Sequence, residues 1–163
     1  MIKLETTPLD GLQIFSGMNF HDQRGELFKV FNNDQDFTPR QVFTTTSRYD
    51  VIRGMHYHSG SKIICLLQGK ALDVVLDIRP ESKTYGKYFS TTLEANKKAL
   101  FLREGLAHGF RALEENTLML YIQSAAYNPQ DDKGFHYQSF NFNWNCPSPI
   151  LSERDKVLPP FKS

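Results

Sequence analysis

Ala71-Leu72-Asp73-Val74-Val75-Leu76-Asp77-Ile78 alternates, with Leu72, Val74, Leu76 and Ile78 on one face and Asp73, Val75 and Asp77 on the other. A period of two belongs to a β-strand. Upstream, Val42-Phe43-Thr44-Thr45-Thr46 is β-branched and aromatic, and Ser61 to Leu67 is an apolar run closed by a Gln68-Gly69 turn. Downstream, Tyr88 to Leu93, Ala99 to Leu102, Gly109 to Leu113 and Leu118 to Ser124 continue the pattern. Turn residues separate them at Pro80-Glu81-Ser82, Glu94-Ala95-Asn96 and Glu115-Asn116. Short, regularly spaced strands without long amphipathic helices predict an all-β chain, an antiparallel barrel or jelly roll. Helix is expected only in short pieces, near Asp34 to Phe37 and around Ser152 to Lys156. Pro147, Pro149, Pro159 and Pro160 mark an irregular C-terminal arm expected to lie over the barrel.

The 163 residues fit one domain spanning 1–163, long enough to bury a sizeable core. A net charge of +1 gives no sign of a nucleic-acid surface or a charged tail. Two cysteines, Cys65 and Cys146, are too few for a disulfide framework and fit a reducing compartment. Met1-Ile2-Lys3-Leu4-Glu5 opens no continuous apolar stretch, so neither a signal peptide nor a membrane span is expected. The expectation is a soluble cytoplasmic protein.

Three histidines stand out. His56 and His58 precede Lys62, and His108 follows Gly105-Leu106-Ala107, read as a turn. A carboxylate at position 62 would join the three imidazoles as a hard oxygen ligand. A lysine there repels a metal and instead offers a cation to an enolate oxygen, which points to proton abstraction next to a carbonyl.

The spacing of His56, His58, Lys62 and Gly69, then Gly105 and His108, resembles the two cupin motifs, departing at position 62 and at Arg103, where proline is common. A closer resemblance is carried by six segments in order. They are Phe20-His21-Asp22-Gln23-Arg24-Gly25, Arg53-Gly54-Met55-His56-Tyr57, Asp73 to Arg79, Ser82 to Lys87, Ala107-His108-Gly109-Phe110 and Ile150 to Asp155. Together they resemble the dTDP-4-dehydrorhamnose 3,5-epimerase family, which implies a cupin jelly roll, no metal or organic cofactor, and a nucleotide-diphosphate sugar as substrate. The family epimerises a 4-keto-6-deoxy sugar at carbons flanking the ketone, through an enolate. The resemblance also implies a homodimer that exchanges N-terminal strands, with residues near Arg24 or Gln41 reaching the partner's site.

By position, His56 matches the base, and an imidazole is largely neutral at pH 7. Asp155 matches its carboxylate partner, Lys62 the group that stabilises the O4 oxyanion, and Tyr121 the acid on the opposite face. Arg24 and Arg53 match diphosphate contacts, Gln41 a nucleotide contact, and His108 and Tyr127 sugar-site residues. Each residue also has a plain reading: a core histidine, a capping or surface aspartate, a solvated lysine, a core tyrosine, surface ion pairs. Cys65, in an apolar strand, is expected in the core. His58 stands where the family often has glutamine, and its role is open.

The departures gather on the nucleotide side. Leu27 and Lys29 follow Arg24-Gly25 where an aromatic and a glutamate are usual, and Phe43 stands where asparagine is usual. The family's Trp-Asn-Asp-Pro stretch reads His136-Tyr137-Gln138-Ser139, and the gap from His56 to Lys62 is shorter. Neither the nucleotide nor the choice between C3 alone and both C3 and C5 is legible. Three alternatives stand beside the epimerase. One is a 3,4-ketoisomerase of a nucleotide-linked 4-keto-6-deoxy sugar, whose His-Ala-His is half-matched by His56-Tyr57-His58. The others are a metal-dependent cupin using His56, His58 and His108, and a non-catalytic sugar-binding barrel.

Overall fold

Ala71, Asp73, Val75 and Asp77 turn inward from their strand, while Val74 and Leu76 pack outward beneath the C-terminal arm. Both faces are buried, because a second layer covers the outside. The computed structural model describes residues 3–16, 19–30 and 37–162. Among them β1 (Lys3–Thr6), β2 (Leu12–Ser16), β3 (Asn19–Asp22) and β4 (Gly25–Phe28) precede the strand-rich region. They are followed by β5 (Gln41–Ser47), β6 (Ile52–Tyr57), β7 (Lys62–Gln68), β8 (Lys70–Asp77) and β9 (Tyr88–Glu94). The series closes with β10 (Lys98–Leu102), β11 (Leu106–Ala112), β12 (Thr117–Gln123), β13 (Lys133–Gly134) and a single turn of helix, α1 (Glu153–Lys156).

Two antiparallel sheets face each other, in the orders β1-β2-β10-β7-β12-β5 and β13-β6-β11-β8-β9. The fold is the all-β cupin jelly roll. Ile64, Leu66, Leu100, Leu102, Met119 and Tyr121 of the first sheet meet Ala71, Val75, Leu106 and Phe110 of the second in the interior. Each fully buried aliphatic side chain there contributes about 1.5–3 kcal/mol. Outside the first sheet, Ile63, Cys65, Ala99, Phe101 and Ile122 lie under Phe28, Val30 and Phe37. Cys65 is a core residue, and burial pushes its thiol up to about 12. Outside the second sheet, Ile52, Met55, Val74, Leu76 and Ala107 are covered by Phe135, Tyr137, Trp144 and Leu151 of the proline-marked arm.

Several expectations shift. Strands β1–β4 and β13 lie outside the run read from Val42 to Ser124, and β6 lies within it where no strand is expected. The turn before His108 is Glu104-Gly105, so Leu106 and Ala107 already belong to β11 and His108 sits mid-strand. The helical piece at Ser152 to Lys156 is α1 with its cap. The piece near Asp34 to Phe37 falls on 34–36, outside the described residues. No helix among the described residues is long and apolar enough to cross a membrane.

The end of one resembling segment and the start of the next, Asp77-Ile78-Arg79 and Ser82-Lys83-Thr84, serve the fold rather than the chemistry. Asp77 is fully buried and accepts from Arg79 Nε at 2.9 Å, Arg79 Nη2 at 2.7 Å, and the Ser82 and Thr84 hydroxyls at 2.6 Å each. Burial alone would raise its carboxyl, but these hydrogen bonds hold it down to about 2. The depressed folded value means that the stabilisation is complete above the unfolded value of about 3.9 and is lost as pH falls through about 2. Asp77→Ala, which removes the shared buried acceptor of Arg79, Ser82 and Thr84 while Arg79 keeps Asp10, is expected to lower stability by about 3 kcal/mol at pH 7. Urea denaturation checks it, and a loss under about 0.5 kcal/mol, the scale of a surface change, would contradict it.

Candidate active site

The chemistry-bearing residues come from both walls of the barrel. His56 on β6, His108 on β11 and Asp73 on β8 belong to one sheet, and Lys62 on β7 and Tyr121 on β12 to the other. Alternation explains their common direction. Lys62 shares the inward parity of Ile64 and Leu66, and Tyr121 that of Met119, while Ile63, Cys65 and Ile122 point outward.

A close approach of two strands sets the histidine wall. A Cβ at Gly54, where φ is +135°, would lie 2.5 Å from the Gly109 Cα. One at Gly109 would lie 2.8 Å from the Arg53 carbonyl oxygen. Only glycine fits at both positions, and this contact accompanies a register shift between His108 and Phe110. His56 is thereby paired directly across from His108.

Asp155 arrives from the far end of the chain. Val51 and Ile150 form a parallel bridge, with Ile52 N–H donating to the Ile150 carbonyl at 3.1 Å. Ser152 then caps α1 by accepting from the Asp155 N–H at 3.0 Å, so the aspartate side chain has no capping duty. It is buried instead, and its Oδ1 accepts from His56 Nε2 at 2.6 Å, with Gly54 N–H directed at Oδ2 at 3.4 Å. Burial would raise the Asp155 carboxyl, but His56 and Gly54 hold it below the ordinary carboxylate value. A carboxylate only accepts, so His56 Nε2 carries the hydrogen and Nδ1 keeps the lone pair. The His56 side chain is 30% exposed against 3% for Asp155, so the dyad reaches accessible space through the imidazole.

Lys62 is a buried cation. Its ammonium donates to the His56 carbonyl oxygen at 3.3 Å, leaving spare donors. Burial pushes it down to about 8, against the opposing pull of Asp73 and Asp132. Tyr121 is buried and stacks on Phe43, ring centroids 4.8 Å apart and planes 8° from parallel. Burial carries its phenol well above the ordinary tyrosine value, so it is a protonated donor at neutral pH. His108 Nε2 donates to Asp73 Oδ2 at 2.7 Å, and burial holds the ring below the ordinary imidazole value. His56 and His108 thus each commit one nitrogen to a carboxyl group. Among the described residues no three His, Cys, Asp or Glu side chains group as metal ligands.

Beside this cluster opens a cavity of about 240 Å³ lined by Gln41, Phe43, His58, Gln123, Tyr127 and Asp132 among others. Gln41 and Tyr127 therefore share one cleft. Arg53 lies near the Tyr121 ring and donates to Ser47 Oγ at 3.0 Å and to the Thr46 carbonyl at 3.2 Å. Arg24 stands apart: on the β3–β4 hairpin, 85% exposed and paired with Asp22, it lines a different pocket with Phe20 and Leu27. Asp73 escaped the sequence reading. Its signal is a carboxylate at the inward parity of Ala71 and Val75, a parity it shares with Asp77 of the same strand. Phe43 was noted only as a departure, and Asp132 carried no signal.

Residues 6–163 match the family described as dTDP-4-dehydrorhamnose 3,5-epimerase. The enzyme of that name from Mycobacterium tuberculosis is 35% identical over 76% of this chain, a match spanning 66% of that protein's own length. That from Salmonella typhimurium is 31% identical over 98% of this chain and 94% of its own. The crystal structure of the Bacillus anthracis enzyme with TDP and PPi bound superposes with a TM-score of 0.93 at 27% identity, covering 99% of this chain and all of that one. With a matching profile, matching lengths and a matching barrel, the chain belongs to the dTDP-4-dehydrorhamnose 3,5-epimerase family, a family of isomerases.

Proposed function

We propose that this chain, as a single domain over 1–163, epimerises a nucleotide-linked 4-keto-6-deoxy sugar at C3, or at C3 and C5, through an enolate and without a metal. The observation that carries the reading is the opposition of His56, on one sheet and held by Asp155 of α1, to a protonated Tyr121 on the other, with the Lys62 ammonium in the same interior. The ketone at C4 acidifies the neighbouring C–H bonds. His56 Nδ1 takes the proton, the C–H electrons form the enolate double bond, and negative charge develops on O4. Asp155 stabilises the imidazolium and Lys62 the oxyanion. Tyr121 O–H then protonates the carbon from the other face, and solvent restores both side chains to their starting states. A phenol of raised pKa can do this because the enolate carbon is a stronger base still.

Gln41, Tyr127 and His108 contact the nucleotide and sugar in this reading, and Arg53 the diphosphate, where a forked guanidinium fits phosphate oxygens. Arg24 reaches a partner's site in a homodimer. Phe20 and Leu27, exposed and apolar beside it, support such a contact, as does the open edge at β5, where Val42 is exposed. The setting is the cytoplasm. A fully active monomer at micromolar concentration would remove Arg24 from the site.

Incubation with nucleotide-linked 4-keto-6-deoxy sugars in deuterium oxide tests the reaction. Label at C3 alone identifies a 3-epimerase, and label at C3 and C5 the 3,5 activity. A displaced ketone would replace the epimerase reading with the ketoisomerase. Chelation followed by dialysis is expected to leave turnover unchanged, and a loss restored by zinc, iron or manganese would overturn the role given to Lys62.

A further inference from the structure

Phe43 forms part of the cleft wall, yet the proposed chemistry gives it no role. It lies on β5, the last strand of the first sheet, at the inward parity of Gln41, Thr45 and Ser47, while Val42, Thr44 and Thr46 are exposed. The neighbouring strand β12 places Tyr121 directly opposite it, and β7 places the fully buried Ile64 opposite Tyr121 on the far side. Directly opposed residues of an antiparallel pair share a face, with Cβ atoms about 4.5–5.5 Å apart, so their side chains touch. Aromatic rings then meet Tyr121 from both sheets. The Phe43 ring lies flat against it, centroids 4.8 Å apart and planes 8° from parallel. The His108 ring meets it at 68° from the opposing sheet, centroids 6.1 Å apart.

A phenol side chain has two rotations with different consequences. Turning about χ1 swings the oxygen bodily, whereas turning about χ2 leaves the oxygen on its axis and changes only the plane of the ring. Conjugation keeps the O–H near that plane, so the plane sets the direction in which the proton is offered. A flat wall restrains both rotations, because it blocks the swing towards β5 and holds the plane. An aliphatic side chain fills the space and leaves the plane free. Catalytic groups have to stand within about 0.5 Å and 10–20° of the productive geometry. Resting on the epimerase reading, we infer that Phe43 is a positioning residue for Tyr121, aiming the phenol at the enolate carbon and acting on the reaction only through it. Proton removal at His56, on the other sheet, owes nothing to Phe43, and inversion depends on it.

The test reads deuterium wash-in and inversion together at saturating substrate. It uses whichever of the dTDP-, UDP-, GDP- and CDP-linked 4-keto-6-deoxyglucoses the wild-type protein converts fastest. Phe43→Leu is expected to cut inversion by about 10- to 100-fold and wash-in into unconverted substrate by less than about threefold. Phe43→Tyr keeps the flat face and should hold the ratio of inversion to wash-in within about threefold of the wild-type value. A role in packing or in substrate binding would lower both rates together, so equal losses overturn the proposal, as does a Phe43→Leu variant that inverts normally. Adding Phe43→Leu to Tyr121→Phe separates action through the phenol from action beside it. The double variant should invert within about threefold of Tyr121→Phe alone, and a further loss of about tenfold overturns the proposal. Should Phe43→Leu fail to fold, Phe43→Met, flexible and without a flat face, takes its place under the same criteria. Absence of both wash-in and inversion with all of these sugars in the wild-type protein overturns the epimerase reading and this inference together.

Discussion

Tyr121→Phe is expected to cut inversion by about 10²–10⁴-fold while deuterium continues to wash into unconverted substrate. The substitution keeps the ring, its burial and its stack on Phe43, so it removes a transferable proton without opening a cavity. Deprotonation needs only the His56 face, and the same imidazole can return the proton it took. Inversion needs a donor on the other wall of the barrel. His56→Ala is the complementary variant and is expected to halt wash-in as well as inversion, since no other imidazole is held by Asp155. Time courses of isotope content and product, followed by NMR in deuterium oxide, separate the outcomes. A normal inversion rate in Tyr121→Phe would give the acid role to another group, such as Tyr127 in the same cleft.

Lys62→Met is expected to lower kcat by at least about 10²-fold, the scale of losing one preorganised oxyanion donor. Methionine fills a similar volume without the buried charge, so the variant should be at least as stable as the wild-type protein. Falling activity with unimpaired stability would separate chemistry from folding. The proton on Lys62 also sets a pH limit. Because burial lowers the ammonium to about 8, kcat/KM should decline above about pH 8, and that limb should be missing in Lys62→Met. The same shift has a sign for stability. Between about 8 and the unfolded value near 10.4 the unfolded chain binds more protons, so stability rises with pH in the wild-type protein and not in the variant. A near-normal kcat for Lys62→Met would make the lysine a bystander.

The antiparallel class was legible because period-two alternation is a local property, strongest in Ala71 to Ile78 and Leu118 to Ser124. The same alternation puts Tyr121 on the face of Met119, and the two share the interior. The N-terminal strands were not legible: among the described residues Asn19–Asp22 and Gly25–Phe28 pair only with each other, and they carry no buried stripe. Nor could alternation tell which face of Ala71 to Ile78 turns inward. The apolar Val74 and Leu76 pack outside, because the arm bearing Phe135 and Trp144 provides a second core.

An all-β chain, a cluster of histidines with a lysine where a metal ligand would stand, and the residue types an enolate reaction needs are all readable from residue order. Which of those residues meet depends on how distant segments pack. Asp155 is 99 positions from His56 and becomes its partner only because the arm bridges Val51 and Ser152 takes over the capping duty. Asp73 joins His108 across adjacent strands, and Arg24 stays on an exposed hairpin away from the cleft. Side-chain identity and periodicity are encoded locally. Proximity between distant segments, and the burial that lowers Lys62 and raises Tyr121, arise only when two sheets close on a common interior.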